Sequence, residues 1–343
     1  MSELRVGVVG YGWVAGAHIK SLHEIPGVRV TAICSQRAGS MNAHKLSETH
    51  GSSITLYDNF EAMCAQKDLD IISICSSHIH HPEQVEIAAR AGKHLIIEKP
   101  VALDLAGLKR VEKAVKKARV KACICFEAKV VGLFETVRSV LDKGLLGSLH
   151  YAECDYFHGI GPWYGQYRWN IKKKLGGSSL LTAGCHALDS LIYFMGSRPV
   201  EVISYAVRSK APEFKPYEYP TTTVTLMKFA NGAIGKTASC IDCIQPYQFN
   251  VHLVGSKGSL YNDKFFTNTF GGLDKTGWST LHTQTADSGD VAHHPYRALF
   301  EDYIDAIRKN REPRFSFDDA IFSHRVCLAA DKSSAAGGKP VKL

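Results

Sequence analysis

Lys99 stands at the end of the run Leu95-Ile-Ile-Glu98-Lys99-Pro100. Three apolar residues read as a buried parallel strand. Pro100 has no N–H to give a sheet ladder, so the strand stops with Lys99 at its carboxyl edge. In open α/β sheets that edge is where ligands sit. An ammonium group delivered there on a rigid element is a candidate catalytic group, provided that the chain also supplies a cofactor site and a proton acceptor. His186 is the candidate acceptor. It lies in Thr182-Ala-Gly-Cys-His186-Ala-Leu-Asp189, a helical pattern in which positions 182 and 186 share one face. Imidazole exchanges a proton near neutral pH. The competing reading of His186 is a histidine satisfied inside the core, and Asp189 reads as an anchor for its helix.

The cofactor signal is Gly10-Tyr11-Gly12-Trp13-Val14-Ala15, directly after the apolar run Leu4–Val9 and opening a helix. The first glycine permits a tight turn, the second lets backbone approach a pyrophosphate, and a small third residue lets helix and strand pack closely. Free N–H groups at the helix start then face the phosphates. At the end of the second strand, where NAD-selective enzymes usually carry an acidic residue, stand Ser35 and Arg37. A hydroxyl and a guanidinium suit a ribose 2′-phosphate, so the expectation is NAD(P) with a lean toward NADP. Ser76, His78 and His81 follow a further buried strand and read as a loop touching the cofactor, as do Glu98 and Lys99. The histidines have no carboxylate or cysteine at ligand spacing, so no metal is expected. Trp163, Tyr167, Arg168 and Trp169 form an aromatic loop with one arginine. Aromatic faces pack on sugar C–H groups, whereas a loop folded on the core or a subunit interface is the equal alternative.

These residues need elements to position them. The first third alternates strand and helix: Leu4–Val9, Ala15–Ile25, Val28–Cys34, Met41–His50, Ile54–Tyr57, a helix near Glu61, Ile71–Cys75, Pro82–Ala91, His94–Ile97, Leu105–Ala118 and Lys121–Phe126. Such βα units with near-continuous apolar strands predict a doubly wound parallel sheet, a Rossmann domain over residues 1–126. From 127 to 343 the pattern changes to an α+β domain. Its helices are Phe134–Lys143, Leu180–Phe194, Tyr296–Lys309 and Phe317–Ser333. The strands Leu149–Tyr156, Val200–Val207, Thr223–Phe229, Ala233–Cys240 and Phe249–Val254 predict a large open sheet, mostly antiparallel or mixed. Asn231-Gly232 signals a hairpin.

With 343 residues, two domains are the prior. The net charge of +8 comes with no basic stripe interleaved with aromatics, so nucleic acid is not an expected partner. Ten scattered cysteines, several inside apolar runs, fit buried thiols in a reducing compartment. A strand begins within a few residues of Met1, leaving no room for a signal peptide, and no apolar run is long enough to span a membrane. The expectation is a cytoplasmic protein.

Together these motifs resemble the Gfo/Idh/MocA oxidoreductases, relatives of glucose–fructose oxidoreductase and inositol dehydrogenase. The likeness runs from Gly10-x-Gly12-x-x-Ala15 through Ala91-Gly92-Lys93-His94 and Glu98-Lys99-Pro100. It continues through Gly176-Gly177 and Gly184-x-His186-x-x-Asp189 to Asn231-Gly232 and Gly255-Ser-Lys-Gly258. The resemblance implies hydride transfer between NAD(P) and a sugar, inositol or related polyol or ketone. Lys99 would lie between nicotinamide and substrate, His186 would handle the proton, and Lys129 would occupy a substrate position that is often arginine. It also implies a homodimer or homotetramer. One departure is Thr182, where many members carry aspartate. A threonine can bond substrate or orient neighbours, but it holds no negative charge. Two rival functions follow: NAD-dependent redox-assisted glycoside cleavage or epimerisation, and a non-catalytic nucleotide-sensing regulator of the same architecture.

Overall fold

The computed structural model describes residues 3–283 and 294–343. Contacts divide it into two compact units: the described residues through Cys125 with His294–Ile321, and those from Phe126 with Phe322–Leu343.

In the first unit, β1 (Leu4–Val9), α1 (Ala15–His23), β2 (Val28–Cys34), α2 (Ala43–His50), β3 (Thr55–Tyr57), α3 (Phe60–Cys64) and β4 (Ile71–Ile74) are followed by α4 (His81–Arg90), β5 (His94–Ile97), α5 (Leu105–Ala118) and β6 (Ala122–Ile124). The six strands pair in parallel in the order β3-β2-β1-β4-β5-β6. This is a Rossmann sheet. Strand order reverses between β1 and β4, the point at which doubly wound sheets open a crevice at their carboxyl ends. The central strands β1 and β4 are mostly apolar and largely buried, as expected where helices cover both faces of a sheet. In α5, Leu108, Val111 and Val115 make the buried stripe, and each contributes about 1.5–3 kcal/mol by burial. The Asp104 carboxylate accepts the Gly107 N–H at 2.7 Å and caps the start of that helix.

The second unit holds α6 (Gly132–Asp142), β7 (Leu149–Phe157), two single-turn helices α7 (Tyr167–Asn170) and α8 (Lys173–Gly176), a π-helical turn at Leu180–Gly184 and α9 (Cys185–Met195). Strands β8 (Pro199–Val207), β9 (Thr222–Phe229), β10 (Ile234–Cys240), β11 (Gln248–Gly255), β12 (Gly258–Tyr261), β13 (Lys264–Thr267) and β14 (Ser279–Thr280) follow. After α10 (Tyr296–Arg308), which belongs to the first unit, and α11 (Phe317–Ala335), β15 (Val341–Lys342) closes the chain. Among the described residues the order is β14-β13-β12-β11-β7-β10-β9-β8-β15. Only β7 and β10 pair in parallel there. The long excursion through α9, β8 and β9 supplies the crossover that a parallel pair requires. The β9 pattern alternates buried and exposed residues, so one sheet face takes α9 and the other stays open.

The observed units differ from a single cut at 126/127. The reason is α10, which packs on α1: Tyr296 and Phe300 set their rings against His18 at 4.5 and 5.0 Å. The parallel β7–β10 pair makes the sheet mixed, within the expectation, while the β12–β13 hairpin had not been anticipated. That hairpin turns through Asn262 at φ 53°, a left-handed position that asparagine tolerates.

Candidate active site

The first unit builds the expected cofactor loop at the β1 and β4 ends. Gly10 has φ +86°, and a Cβ there would stand 2.5 Å from the Ser76 Cα, so only glycine fits where the two strand ends meet. Gly12 is different. A Cβ on Gly12 would meet nothing within 4 Å, so packing of the chain itself does not demand a glycine there. The start of α1 has no side-chain cap on its first N–H groups. Ala15 is buried against the sheet. An uncapped helix start beside a vacant glycine Cβ position fits a pyrophosphate. Over the same loop, Arg37 Nη2 donates to the Tyr11 carbonyl at 2.9 Å, while Ser35 Oγ accepts the Arg37 N–H at 3.1 Å. Tyr11 OH lies 2.9 Å from His50 Nε2, and Trp13 is 39% exposed with its edge on His294.

Lys99 follows β5 as expected, and a buried network fixes its backbone. The Glu98 carboxylate accepts the Lys99 N–H through Oε2 at 3.1 Å. Its other oxygen takes His18 Nε2 at 2.9 Å and the Tyr296 hydroxyl at 2.9 Å. His18 Nδ1 meets Ser73 Oγ at 2.9 Å. Burial by itself would lower the His18 pKa, but Cys75 and the Glu98 carboxylate raise it to about 10. Burial would likewise raise Glu98, yet the hydrogen bond and charge of His18 hold it at about 2. The two form a buried ion pair. On the other side of Lys99, His81 lies 2.9 Å from the Pro100 carbonyl through Nδ1 and 3.0 Å from the Ser76 carbonyl through Nε2. Burial lowers its pKa, and the two carbonyls work in the opposite direction. His81 thus ties the β4 loop to the residue after Lys99, and the buried His78 packs its ring edge-on at 5.6 Å. His18, Glu98 and Cys125 bring ligand atoms within 4.8 Å of one another. Hydrogen bonds already engage the His18 and Glu98 atoms of that cluster.

In the second unit, His186 sits in the first turn of α9, just after the π-helical turn. Gly184 lets this segment press onto β10, since a Cβ there would come within 2.3 Å of Ser239 Cβ. The His186 ring is buried, edge-on to Phe126 at 6.2 Å and stacked on Tyr156 at 6.5 Å. Its Nε2 lies 3.6 Å from Glu127 Oε1. Two residues further, Lys129 Nζ lies 2.7 Å from Asp189 Oδ2, both side chains buried. Lys129, expected to touch substrate, is thus paired with Asp189 on α9. Thr182 donates its hydroxyl to Asn170 Oδ1 at 2.8 Å, and Asn170 also takes the Tyr219 hydroxyl. In the aromatic loop, Trp163 is 65% exposed with Nε1 on the Gly159 carbonyl, and Tyr167 OH donates to the Glu213 carbonyl at 2.7 Å. Arg168 is exposed and Trp169 half-buried. Loop and helix are thus joined at Asn170, at the C-terminal end of α7.

Sequence reasoning missed His18, Ser73 and Tyr296 around Glu98, and Glu127 and Asn170 in the second unit. The signal for Glu127 was an acid at the end of a buried strand run. The others had no local signal.

Two family models match the chain. One, described as an oxidoreductase family with an NAD-binding Rossmann fold, covers residues 4–126. The other, the GFO/IDH/MocA C-terminal domain, covers residues 134–261. The chain belongs to the Gfo/Idh/MocA oxidoreductase family. It is 25% identical to a myo-inositol 2-dehydrogenase of Thermotoga maritima, over 96% of each chain. It is also 25% identical to a glycosyl hydrolase family 109 protein of Bacteroides thetaiotaomicron, over 91% of this chain and 72% of that one. A levoglucosan dehydrogenase solved with NADH and levoglucosan shares the fold at TM-score 0.86 and 19% identity, covering 100% of this chain and 99% of that chain. As a member of this family the chain is an NAD-binding oxidoreductase.

Proposed function

We propose that this Gfo/Idh/MocA member transfers hydride between NAD(P) and a CH–OH carbon of a sugar, inositol or related polyol, or reduces the matching ketone. The observation that carries the reading is Gly12, a glycine whose Cβ position opens on an uncapped helix start. Gly10, Tyr11, Gly12, Trp13, Val14 and Ala15 would hold the pyrophosphate, with Ser76, His78 and His81 lining the neighbouring strand end. Bound nicotinamide supplies the hydride acceptor or donor. Lys99, its backbone fixed by Glu98 and Pro100, orients the hydroxyl and stabilises developing alkoxide charge. His186 takes the proton from that hydroxyl in oxidation and returns it in reduction. Trp163, Tyr167, Arg168 and Trp169 contribute stacking and hydrogen bonds to the sugar. The relatives named for inositol and levoglucosan support this substrate class. Fluorescence titration with NADH and NADPH, then a sugar and polyol screen with the preferred cofactor, tests the reading. Failure to bind either cofactor contradicts it.

NADP is the proposed preference, supported by the exposed Arg37 guanidinium over the glycine loop. A homo-oligomer is part of the same proposal. The open sheet face shows Tyr205, Val207, Leu226 and Ile234, all more than half exposed, and large apolar side chains gathered on one face support a partner surface. A cytoplasmic setting is supported by ten free thiols, most of them buried.

The likeness to the family 109 glycosyl hydrolase keeps a second reading, redox-assisted glycoside cleavage. Transient oxidation at one sugar carbon would acidify its neighbour, and the cofactor would return unchanged. Release of aglycone without net accumulation of reduced nicotinamide separates it from a dehydrogenase.

A further inference from the structure

We infer that Cys240 and Cys243 form a thiol–disulfide exchange site, closed by small-molecule disulfides, whose state is felt by the Trp163 loop. The site itself goes beyond the oxidoreductase reading, while its effect on substrate rests on the role proposed there for Trp163. Of the ten cysteines the other eight are buried, and these two alone are partly exposed. They make the chain's one Cys-x-x-Cys, Cys240-Ile241-Asp242-Cys243. Cys240 is the last residue of β10, and the chain bends at Ile241 and Asp242. The bend turns Cys243 back, so that its Sγ lies 3.7 Å from the Cys240 carbonyl oxygen. The sulfur that must meet Cys240 thus already rests on residue 240. In a reducing setting such a pair is a reversible sensor, not a structural staple.

The two sulfurs are not equivalent. The Cys240 S–H donates to Asp242 Oδ1 at 3.1 Å, and the Thr222 hydroxyl lies 3.3 Å from the same sulfur. Thr221 and Thr222 also donate to the Asp242 carboxyl, through Oδ2 and Oδ1. The neighbouring Cys243 thiol, burial and the Asp242 charge together push the Cys240 thiol up. The Cys240 thiol holds Cys243 below the usual thiol value, against the effect of burial. Cys243 is therefore the attacking thiolate and Cys240 the thiol that resolves. Cys243 bonds to one sulfur of the small disulfide, and the other leaves as a thiolate that takes a proton from water. The Cys240 proton then passes to Asp242, the Cys240 sulfur bonds to Cys243, and the second small thiolate departs with that proton. Two protein thiols are oxidised to one disulfide, and one small disulfide is reduced to two thiols.

What the exchange moves is the floor of the Trp163 loop. The Cys240 and Ile241 carbonyls accept the His158 and Ile160 N–H groups, each at 2.9 Å. The Cys243 carbonyl oxygen sits so close to Gly159 that a Cβ there would stand 2.5 Å from it and 3.5 Å from Trp163 Cζ2. The Gly159 carbonyl in turn accepts the Trp163 indole N–H at 2.9 Å. Closing the disulfide takes Cys240 Sγ off Asp242 and turns Cys243 against Gly159, so the indole loses its present seat.

The probe is oxidised glutathione, added to the folded, reduced protein and read by peptide mass spectrometry after the remaining thiols are blocked. The wild type should lose two hydrogens between Cys240 and Cys243, and dithiothreitol should restore them. Cys240→Ser should stop at the mixed disulfide, with one glutathione on Cys243, whereas Cys243→Ser should stay unmodified at Cys240. Oxidation should shift the tryptophan emission of the wild type. That shift should be absent in Cys240→Ser combined with Cys243→Ser, and in Trp163→Phe. In the activity arm, oxidised wild type shows a severalfold higher KM for the sugar or polyol with the cofactor KM unchanged, and the double serine variant ignores glutathione. Absence of the 240–243 disulfide, or glutathione carried equally by the two single variants, overturns the exchange site. A disulfide that leaves the emission unchanged overturns the link to Trp163. If disulfide and emission shift are both seen but no polyol turns over, the exchange site stands and it is the oxidoreductase reading that fails.

Discussion

A lysine at a strand end is useful only if its backbone is held, and here a buried carboxylate does the holding. Glu98 takes the Lys99 N–H on one oxygen and His18 with Tyr296 on the other. Lys99→Ala is therefore expected to keep the fold and the cofactor affinity while cutting turnover by about 10²-fold or more, since only the group proposed to face the alkoxide is lost. Glu98→Gln breaks the ion pair itself. Removing one partner of a buried pair costs about 3–5 kcal/mol, read as a lower urea midpoint. The pair also sets a pH window. His18 is raised from 6.5 to about 10, so its contribution is full below pH 6.5 and lost as pH rises through about 10. Glu98 is lowered from 4.5 to about 2, so its contribution is full above pH 4.5 and lost as pH falls through about 2. Glu98→Gln should flatten both limbs of the stability–pH curve. Unchanged limbs would remove the ion pair from the account.

At the scale of elements, the β1–α1 turn separates two jobs that one motif usually merges. Gly10 is required by the chain, through its positive φ and the Ser76 backbone, while Gly12 is not. Gly12→Ala is expected to leave the urea midpoint unchanged or slightly raised, because alanine adopts that backbone and reduces unfolded-state freedom. It should weaken NADPH binding about tenfold, and equal affinity would argue against a pyrophosphate at this turn. Val28–Cys34 and Leu105–Ala118 were legible because Gly27 precedes the strand and the Asp104 cap opens the helix. The residues around Lys99 were legible for the same reason. His18 and Tyr296 were not. Their meeting at Glu98 depends on α10 returning to α1 from far along the chain, and local periodicity carries no such information. Thr182 reads as a helix position four before His186, yet the turn there is π-helical and its hydroxyl goes to Asn170.

For the whole molecule, the open sheet face and the cofactor preference are the features with consequences in solution. A second copy of the chain covering that face by a two-fold axis would bury Tyr205, Val207, Leu226 and Ile234. Leu226→Glu should then lower the mass seen by light scattering, and an unaltered mass would place the interface elsewhere. Arg37→Ala should weaken NADPH about tenfold with NADH little changed, the difference a lost phosphate contact makes. The family membership fixes an NAD-binding oxidoreductase, and the rest turns on whether Lys99 serves hydride transfer to or from a polyol carbon. The most direct measurement is the appearance of reduced nicotinamide when the wild-type protein and Lys99→Ala are each given oxidised cofactor and a panel of sugars, inositols and polyols. The account predicts net reduced cofactor with at least one substrate and a loss of about 10²-fold or more in Lys99→Ala. Equal rates in the two proteins, or tight cofactor binding with no net reduction across the panel and no oxidation with the matching ketones, would contradict it.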